Sequence, residues 1–414
     1  MTLRICMLLP IRYGPNMRVN PQIGIASYLV NFGHEICWVL SGENSRTGQR
    51  ITLNGIEVHA APYIHYFNEA SLIGKGFNRI LGMFKKARLA LQTFKTSKYN
   101  VVFVREDTFD GIIGTIIKRK YKIPLVYELV DPLEQEVEGY RIENRKPLFL
   151  WQFLATIKAS LKRYVMKKAD LVLPTTGWFE RDLSKIGIQK SKIMPFPNGV
   201  DLTSYPDPNR VEAIREKYHL KNCKVLLYLG VMAKMRKLEV LIEAFARAKE
   251  TEPDIKLLLV GDGTGRNGLE KLATKLGVRE DTIFTGQVPQ AQVPDFIAVS
   301  DIGVSPVPPF SFYKVSSPIK MLEYMAMAKP VIANEEILEQ REIIEQSCGG
   351  ILVSFNIEAF ASAMVEMLND RERAKEMGRK GYEWVTKNRS FEILARRLER
   401  KYLQLIMPGC GVRN

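Results

Sequence analysis

The sequence predicts an α/β protein in which parallel sheets are covered by helices, arranged as two domains. Three observations carry this. Short apolar runs alternate with longer stretches of helical period, the pattern of parallel strands joined by crossover helices. The alternation runs through the first half of the chain and starts again in the second. The length, 414 residues, exceeds the roughly 100–200 residues that one domain usually holds.

In the first half, Arg4–Leu9 reads as a strand, Asn20–Phe32 as a helix and Ile36–Leu40 as a strand, with Gly33-His34-Glu35 turning between the last two. Ile51–Ala60 carries a hairpin with Leu53-Asn54-Gly55 at its turn, since Asn-Gly supplies the positive φ angles such turns need. Helices follow at Phe77–Lys95, Gly111–Lys120, Pro147–Lys168 and Thr176–Lys185, and strands at Val101–Arg105, Leu125–Leu129 and Leu171–Pro174. A turn-rich stretch, Pro195-Phe196-Pro197-Asn198-Gly199-Val200-Asp201 and then Tyr205-Pro206-Asp207-Pro208, marks a boundary between residues 1–203 and 204–387.

The second half repeats the pattern. Strands read at Lys224–Leu229, Lys256–Val260, Thr282–Thr285, Ile302–Ser305 and Val331–Ala333, and helices at Leu238–Lys249, Gly268–Leu276, Val293–Val299 and Ile319–Ala328. Each strand ends in a loop with Gly or Pro, the sheet edge where open parallel sheets bind ligands. Glu358 to Leu405 is helical, ending in the amphipathic piece Phe391–Ile406.

Composition narrows the function. Five scattered cysteines form no C-x-x-C pair, so neither a zinc site nor a disulfide framework is suggested, and reduced thiols in a cytosol fit best. Leu3 to Pro10 ends at a proline and a polar loop and reads as a first strand, not a signal sequence, and no apolar run reaches the ~18 residues of a membrane span. Residues 1–200 hold 29 Lys+Arg against 16 Asp+Glu, a balance of +13, while the remainder holds +2. The first half therefore faces something anionic, or simply carries a solvated basic surface. Two stretches concentrate the excess. Phe77–Lys98 repeats Phe77, Ile80, Leu81, Phe84, Leu91 and Phe94 at helical spacing, with Arg79, Lys85, Lys86, Arg88 and Lys95 around them. Pro147–Lys168 opens on Leu148 to Leu154 and closes on Lys158, Lys162, Arg163, Lys167 and Lys168. Such helices can lie in an anionic membrane interface, or pack an apolar face on the sheet with their charges in water. No nucleic-acid module is present, so no specific nucleic-acid partner is expected.

The stretch Tyr313 to Asn334 carries the chemistry. Ser316, Ser317 and Pro318 open a helix whose free N–H groups and dipole would seat a phosphate, with Lys320 in its first turn and Glu323 placed to take ribose hydroxyls. An ordinary capped helix on a sheet has the same opening. Lys234, Arg236 and Lys237, after Gly230, add cations able to grip a diphosphate. Gly261-Asp262-Gly263 lacks the spacing of a dinucleotide fingerprint, and no P-loop or His-Glu-x-x-His motif occurs. Four scattered histidines argue against metal or Ser-His catalysis, and His34 reads as a helix cap.

Gly33-His34-Glu35, Pro197-Asn198-Gly199-Val200-Asp201, Tyr228-Leu229-Gly230 through Phe245, Val260-Gly261-Asp262-Gly263, Phe284-Thr285-Gly286, Glu323-Tyr324-Met325-Ala326 and Lys329-Pro330-Val331-Ile332-Ala333 stand in one order. Together they resemble the family-4 retaining glycosyltransferases, over nearly the whole chain and most strongly from 195 to 335. The resemblance implies the GT-B fold, two Rossmann-like domains facing each other across a cleft. The domain at 204–387 would bind a nucleotide-sugar and that at 1–203 the acceptor, with the helix in 388–414 crossing back onto the first. Arg236 and Lys320 would act on the leaving diphosphate, and Asp131, a catalytic candidate, would reach the cleft from the acceptor side. Gly230, Ser316, Ser317, Glu323, Gln287 and Val288 would hold the donor, and Arg18 would lie on the acceptor side. Neither metal nor cofactor is expected. The acceptor would be lipid-linked or an anionic glycan precursor, met by a peripheral enzyme at the cytoplasmic membrane face. Three departures stand out: Val231 where the family often has arginine, Val315 where the first glutamate of its signature would fall, and Val130-Asp131 in place of its His-Asp. They leave open a member that binds nucleotide-sugar or a partner without turnover. Another GT-B activity, such as a nucleotide-sugar epimerase, is the other alternative.

Overall fold

The computed structural model describes residues 1–13, 21–42, 49–62, 72–130 and 148–407. Arg18 and Asp131 lie outside the described residues. The chain divides into two compact units, Met1–Pro197 with Leu394–Asn414, and Asn198–Ile393.

The first unit contains strands β1 (Arg4–Tyr13), β2 (Glu35–Gly42), β3 (Gln49–Leu53), β4 (Ile56–Ala61), β5 (Val101–Arg105), β6 (Leu125–Leu129) and β7 (Leu171–Pro174). They form one sheet in the order β3-β4-β2-β1-β5-β6-β7. All neighbours pair in parallel except β3 with β4. That antiparallel pair is the expected hairpin, with Asn54 and Gly55 at positive φ. β1 runs past Pro10 to Tyr13, four residues beyond the sequence expectation, and its register with β2 shifts between Leu8 and Arg12. Proline removes one ladder donor, and the irregularity absorbs the loss.

The helices at Leu72–Thr96 and Leu148–Lys168 depart from their expected polarity. Lys86 and Lys162, read as surface charges, are buried. Lys86 pairs with Asp110 and donates to the Leu9 carbonyl at 2.7 Å, and Lys162 pairs with Glu106. On the first helix Phe94 is buried as expected, whereas Phe77, Ile80, Leu81 and Phe84 are exposed. Buried lysines tolerate such positions only with a charge partner, which Asp110 and Glu106 supply. His34 sits where a cap was expected and does more: Nδ1 accepts from Leu3 N at 3.2 Å, and Nε2 lies 3.0 Å from Glu399.

The second unit contains β8 (Lys224–Leu229), β9 (Ile255–Val260), β10 (Thr282–Gly286), β11 (Ile302–Ser305), β12 (Val331–Asn334) and β13 (Gly350–Val353). The order is β10-β9-β8-β11-β12-β13, all parallel. β8 alternates Leu226 and Tyr228 toward one helical layer with Val225, Leu227 and Leu229 toward the other, so both sheet faces are dry. Helices at Pro208–Lys217 and Leu338–Ser347, absent from the sequence reading, complete the layers, and the tail breaks into Ile357–Asn369, Arg371–Asn388 and Phe391–Ile406. Where the chain enters and leaves this unit the two passages are stitched together: Val200 N donates to Arg389 O and Phe391 N to Val200 O.

Candidate functional site

The order of the second sheet changes direction between β8 and β11. Loops leaving the carboxyl ends of those two strands border the crevice in which open α/β sheets hold ligands. Here the loops are Gly230–Lys237 and Pro306–Pro318, and nearly every described residue expected at the site lies on them or on the helix Ile319–Ala326.

Glycines shape the floor. Gly230 has φ +142°, and a Cβ there would lie 3.3 Å from Lys320 Nζ, so its absence leaves the ammonium room. Gly261 has φ +137°, and a Cβ would stand 2.0 Å from the Gly230 carbonyl oxygen. Its N–H donates to Gly286 O at 3.0 Å, and Met232 N donates to Asp262 O at 2.9 Å. Gly261-Asp262-Gly263 therefore seats the β8 loop, which explains those glycines without a dinucleotide.

The helix Ile319–Ala326 is anchored by Tyr324. Its ring is fully buried, fits where Gly303 has no side chain, and its hydroxyl accepts from Leu229 N at 2.8 Å. That anchor sets Lys320 and Glu323 beside the end of β8. Lys320 Nζ lies 4.1 Å from the centroid of the Tyr228 ring, and the Arg236 guanidinium 4.7 Å from that of Tyr313. Among the described residues neither cation forms an ion pair. Burial, and then the field of Arg236, push the Lys320 ammonium down to about 7, with Glu323 pulling the other way. Burial raises Glu323, opposed by Lys320 and then by the Gln290 side chain. Two cations held together on aromatic faces, with one desolvated carboxyl, form a recess electrically prepared for an anion.

Ser316 and Ser317 stand at the opening of the helix, as expected. The Ser317 hydroxyl is turned inward and fully covered, close to the Glu339 carboxyl but without a hydrogen bond of ordinary geometry. What Ser317 presents outward is backbone, and its carbonyl accepts from Asn198 Nδ2 at 3.0 Å. Burial pushes Glu339 up to about 7 against the pull of Arg389, which donates to it at 3.0 Å. Gln287 is exposed and Val288 half-buried, both just beyond β10. Val231 is exposed at the mouth of the β8 loop. Tyr313 and Gln290 were given no role from sequence, and Tyr228 and Asn198 were read only as parts of longer motifs. For Tyr228 a signal existed, a large aromatic ending an apolar strand beside glycine; for Gln290 there was none.

Two family models match the chain, one described as Glycosyltransferase Family 4 over residues 23–204 and one as Glycosyl transferases group 1 over residues 210–384. Among curated relatives, the GDP-mannose-dependent alpha-(1-6)-phosphatidylinositol monomannoside mannosyltransferase of Mycolicibacterium smegmatis is 25% identical over 60% of this chain and 65% of its own length. The alpha-monoglucosyldiacylglycerol synthase of Streptococcus pneumoniae is 22% identical over 59% of this chain and 54% of its own. The match to these relatives thus spans less than two thirds of their length. Among solved structures, the sucrose-phosphate synthase of Thermosynechococcus elongatus superposes with a TM-score of 0.76 at 17% identity, covering 98% of this chain and 100% of that one. Anabaena Alr3699/HepE in complex with UDP gives 0.71 at 15% identity, covering 97% and 100%. At such identities the likeness shows the fold, which is GT-B.

Proposed function

This chain belongs to the family-4 glycosyltransferases, and from that premise we propose that it moves a sugar from a nucleotide-sugar to an acceptor with retention of configuration. The observation that carries the reading is the convergence of Arg236 and Lys320 beside Gly230, two cations without an anionic partner among the described residues. A nucleoside diphosphate supplies that anion. Glu323, one turn along the helix from Lys320, would accept the ribose hydroxyls, and the backbone at Ser316 and Ser317 would cap the diphosphate.

The chemistry is electrostatic. The bond from the anomeric carbon to the diphosphate oxygen breaks, and charge grows on that oxygen. Arg236 and Lys320 hold it. The acceptor hydroxyl bonds to the same face of the anomeric carbon and passes its proton to the departing diphosphate. Two fixed cations fill the charge-balancing role a divalent ion has elsewhere, so transfer is expected to persist in chelator. By matching position, Asp131 and Arg18 would serve the sugar and acceptor.

For the acceptor, a lipid-linked or anionic glycan precursor at a membrane face fits best. The first half carries the basic excess, and its helices expose Phe77, Phe84 and Phe153 beside lysines and arginines. Two relatives carry lipids in their names, a phosphatidylinositol monomannoside and a monoglucosyldiacylglycerol. Among the described residues no helix is long and apolar enough to cross a membrane.

The test is calorimetric titration with UDP-, GDP-, ADP- and dTDP-sugars in EDTA, followed by transfer assays with the donor that binds. One nucleotide class binding, and binding lost in Glu323→Ala, supports the reading. A folded protein that binds none of them overturns it. Binding without transfer to any acceptor points to the non-catalytic member instead.

A further inference from the structure

A second cluster lies far in sequence from the donor site, on the sheet of the first unit. Cys6 pairs in register with Cys37, and Cys37 with Glu57, so β1, β2 and β4 set the three side by side. His59 follows Glu57 by two residues and shares its face. The ligating atoms of Cys37, Glu57 and His59 all lie within 4.8 Å of one another. Metal–ligand bonds of about 2.0–2.3 Å put tetrahedral ligands about 3.3–3.8 Å apart, so only a small contraction is needed.

The surroundings are those of a ligand set. His59 Nδ1 lies 2.7 Å from Thr93 Oγ1, and Nε2 lies 2.6 Å from Glu57 Oε1. A ring nitrogen held by a buried hydroxyl, with the other aimed at a carboxylate and a sulfur, is how a metal-ligating histidine is oriented. Thr93 is fully buried. Tyr99, 7% exposed, brings to the same sulfur a hydroxyl without a hydrogen-bond partner. Cys6 lies opposite Cys37 on β1 and is buried beside it.

We propose that Cys37, His59 and Glu57 form a binding site for a divalent metal of the zinc type, with water completing the tetrahedron from the side of half-exposed Glu57. One thiolate, one imidazole and one carboxylate suit a borderline ion such as Zn²⁺. Binding displaces the protons shared within the cluster and involves no electron transfer. The ion would staple β2 to β4 and, through Thr93, fix the helix Leu72–Thr96 on them, a structural role separate from sugar transfer.

The experiment uses the untagged full chain, reduced, stripped with chelator and exchanged into chelator-free buffer. One equivalent of Zn²⁺ is expected to survive desalting. Co²⁺ should give an intense thiolate charge-transfer band in the near ultraviolet with tetrahedral bands in the visible. Zn²⁺ at a hundredfold excess over its Kd should raise the unfolding midpoint by about 3–6 °C. Cys37→Ser removes the charge-transfer band. Glu57→Gln, at an exposed position, weakens binding about tenfold or more. A folded, reduced wild type that retains no zinc and shows no cobalt band overturns the site. So does a band that persists undiminished in Cys37→Ser, or an affinity unchanged in Glu57→Gln. Should Cys37→Ser not fold, the wild-type cobalt spectrum and Glu57→Gln decide.

Discussion

Lys320 holds its ammonium 4.1 Å from the centre of the Tyr228 ring, within the field of Arg236, and consequently titrates at about 7. A diphosphate bound there favours the protonated form and moves that titration upward. Donor affinity is therefore full below about pH 7 and falls above it, by up to tenfold per pH unit, until the pKa of the complex is reached. Calorimetry from about pH 6 to about pH 9 in two buffers of different ionisation enthalpy should show proton uptake on binding. Lys320→Arg should flatten the profile. An equal slope in that variant would assign the effect to another group.

The same lysine sets stability in the opposite sense. Its folded pKa lies below the ordinary 10.5, so between the two values the unfolded chain binds more protons and stability rises with pH. At neutral pH the partly desolvated charge is a burden on the empty protein. Lys320→Met is expected to raise the unfolding midpoint without donor by a few degrees and to abolish the further rise that donor gives. Scanning calorimetry with and without nucleotide-sugar reads both.

The Arg236 guanidinium lies 4.7 Å from the centre of the Tyr313 ring, a cation–π contact that restrains its fork before any ligand arrives. Hydrogen bonds to a charged partner contribute about 1.5–3 kcal/mol each, so Arg236→Ala should weaken donor binding about 10- to 100-fold. Arg236→Lys keeps the charge but not the planar, two-pronged grip, and should recover only part of it. Full recovery by lysine would reduce the site to a point charge.

The fold was legible because its signals are local. Apolar runs, helical period and Asn-Gly at 54–55 each report on a few neighbouring residues, and β8 through β11 fall close to where the sequence puts them. The placement of Ser316, Ser317, Lys320 and Glu323 at one helix opening was legible too, since one loop and one helix turn carry all four. What escaped is nonlocal. The inward turn of the Ser317 hydroxyl depends on Glu339 and Asn198. Burial of Lys86 depends on Asp110, one helix further on. Cys37, Glu57 and His59 come together only through the register of adjacent strands, so cysteine spacing alone suggested no metal.

Gly261 tests the packing beneath the donor recess. Alanine there would need φ near +137° and a Cβ 2.0 Å from the Gly230 carbonyl oxygen. Backbone strain and overpacking each cost about 1–3 kcal/mol, so Gly261→Ala should destabilise the protein by about 2–6 kcal/mol. The Gly230 loop must shift to admit the methyl, so donor affinity should fall as well. Gly268→Ala meets open space and should leave the donor affinity unchanged. Urea unfolding and nucleotide titration of the two variants separate a steric effect from a general intolerance of alanine.

The outward phenylalanines of the first unit have a physical cause. The helix Leu72–Thr96 turns Asn78, Lys86 and Thr93 inward, where Lys86 reaches Asp110, and this rotation leaves Phe77 and Phe84 exposed at 52% and 62%. Helix Thr108–Tyr121 packs between it and Leu148–Lys168, which exposes Phe153 at 62% with Leu154 and Ile157. Arg79, Lys85, Lys158 and Arg163 lie on the same two helices. Apolar side chains flanked by cations are the makings of an interfacial surface on an anionic bilayer. Burying one such side chain contributes about 1.5–3 kcal/mol, so Phe84→Ser with Phe153→Ser should reduce partitioning onto vesicles at least about tenfold. Sedimentation with phosphatidylglycerol vesicles, compared with phosphatidylcholine alone and with added salt, measures it. Salt should weaken the wild type's binding, and donor titration should be unaffected by the double substitution. Equal partitioning of wild type and variant, or no sedimentation of either, would leave this surface in water and remove its support for a membrane-borne acceptor.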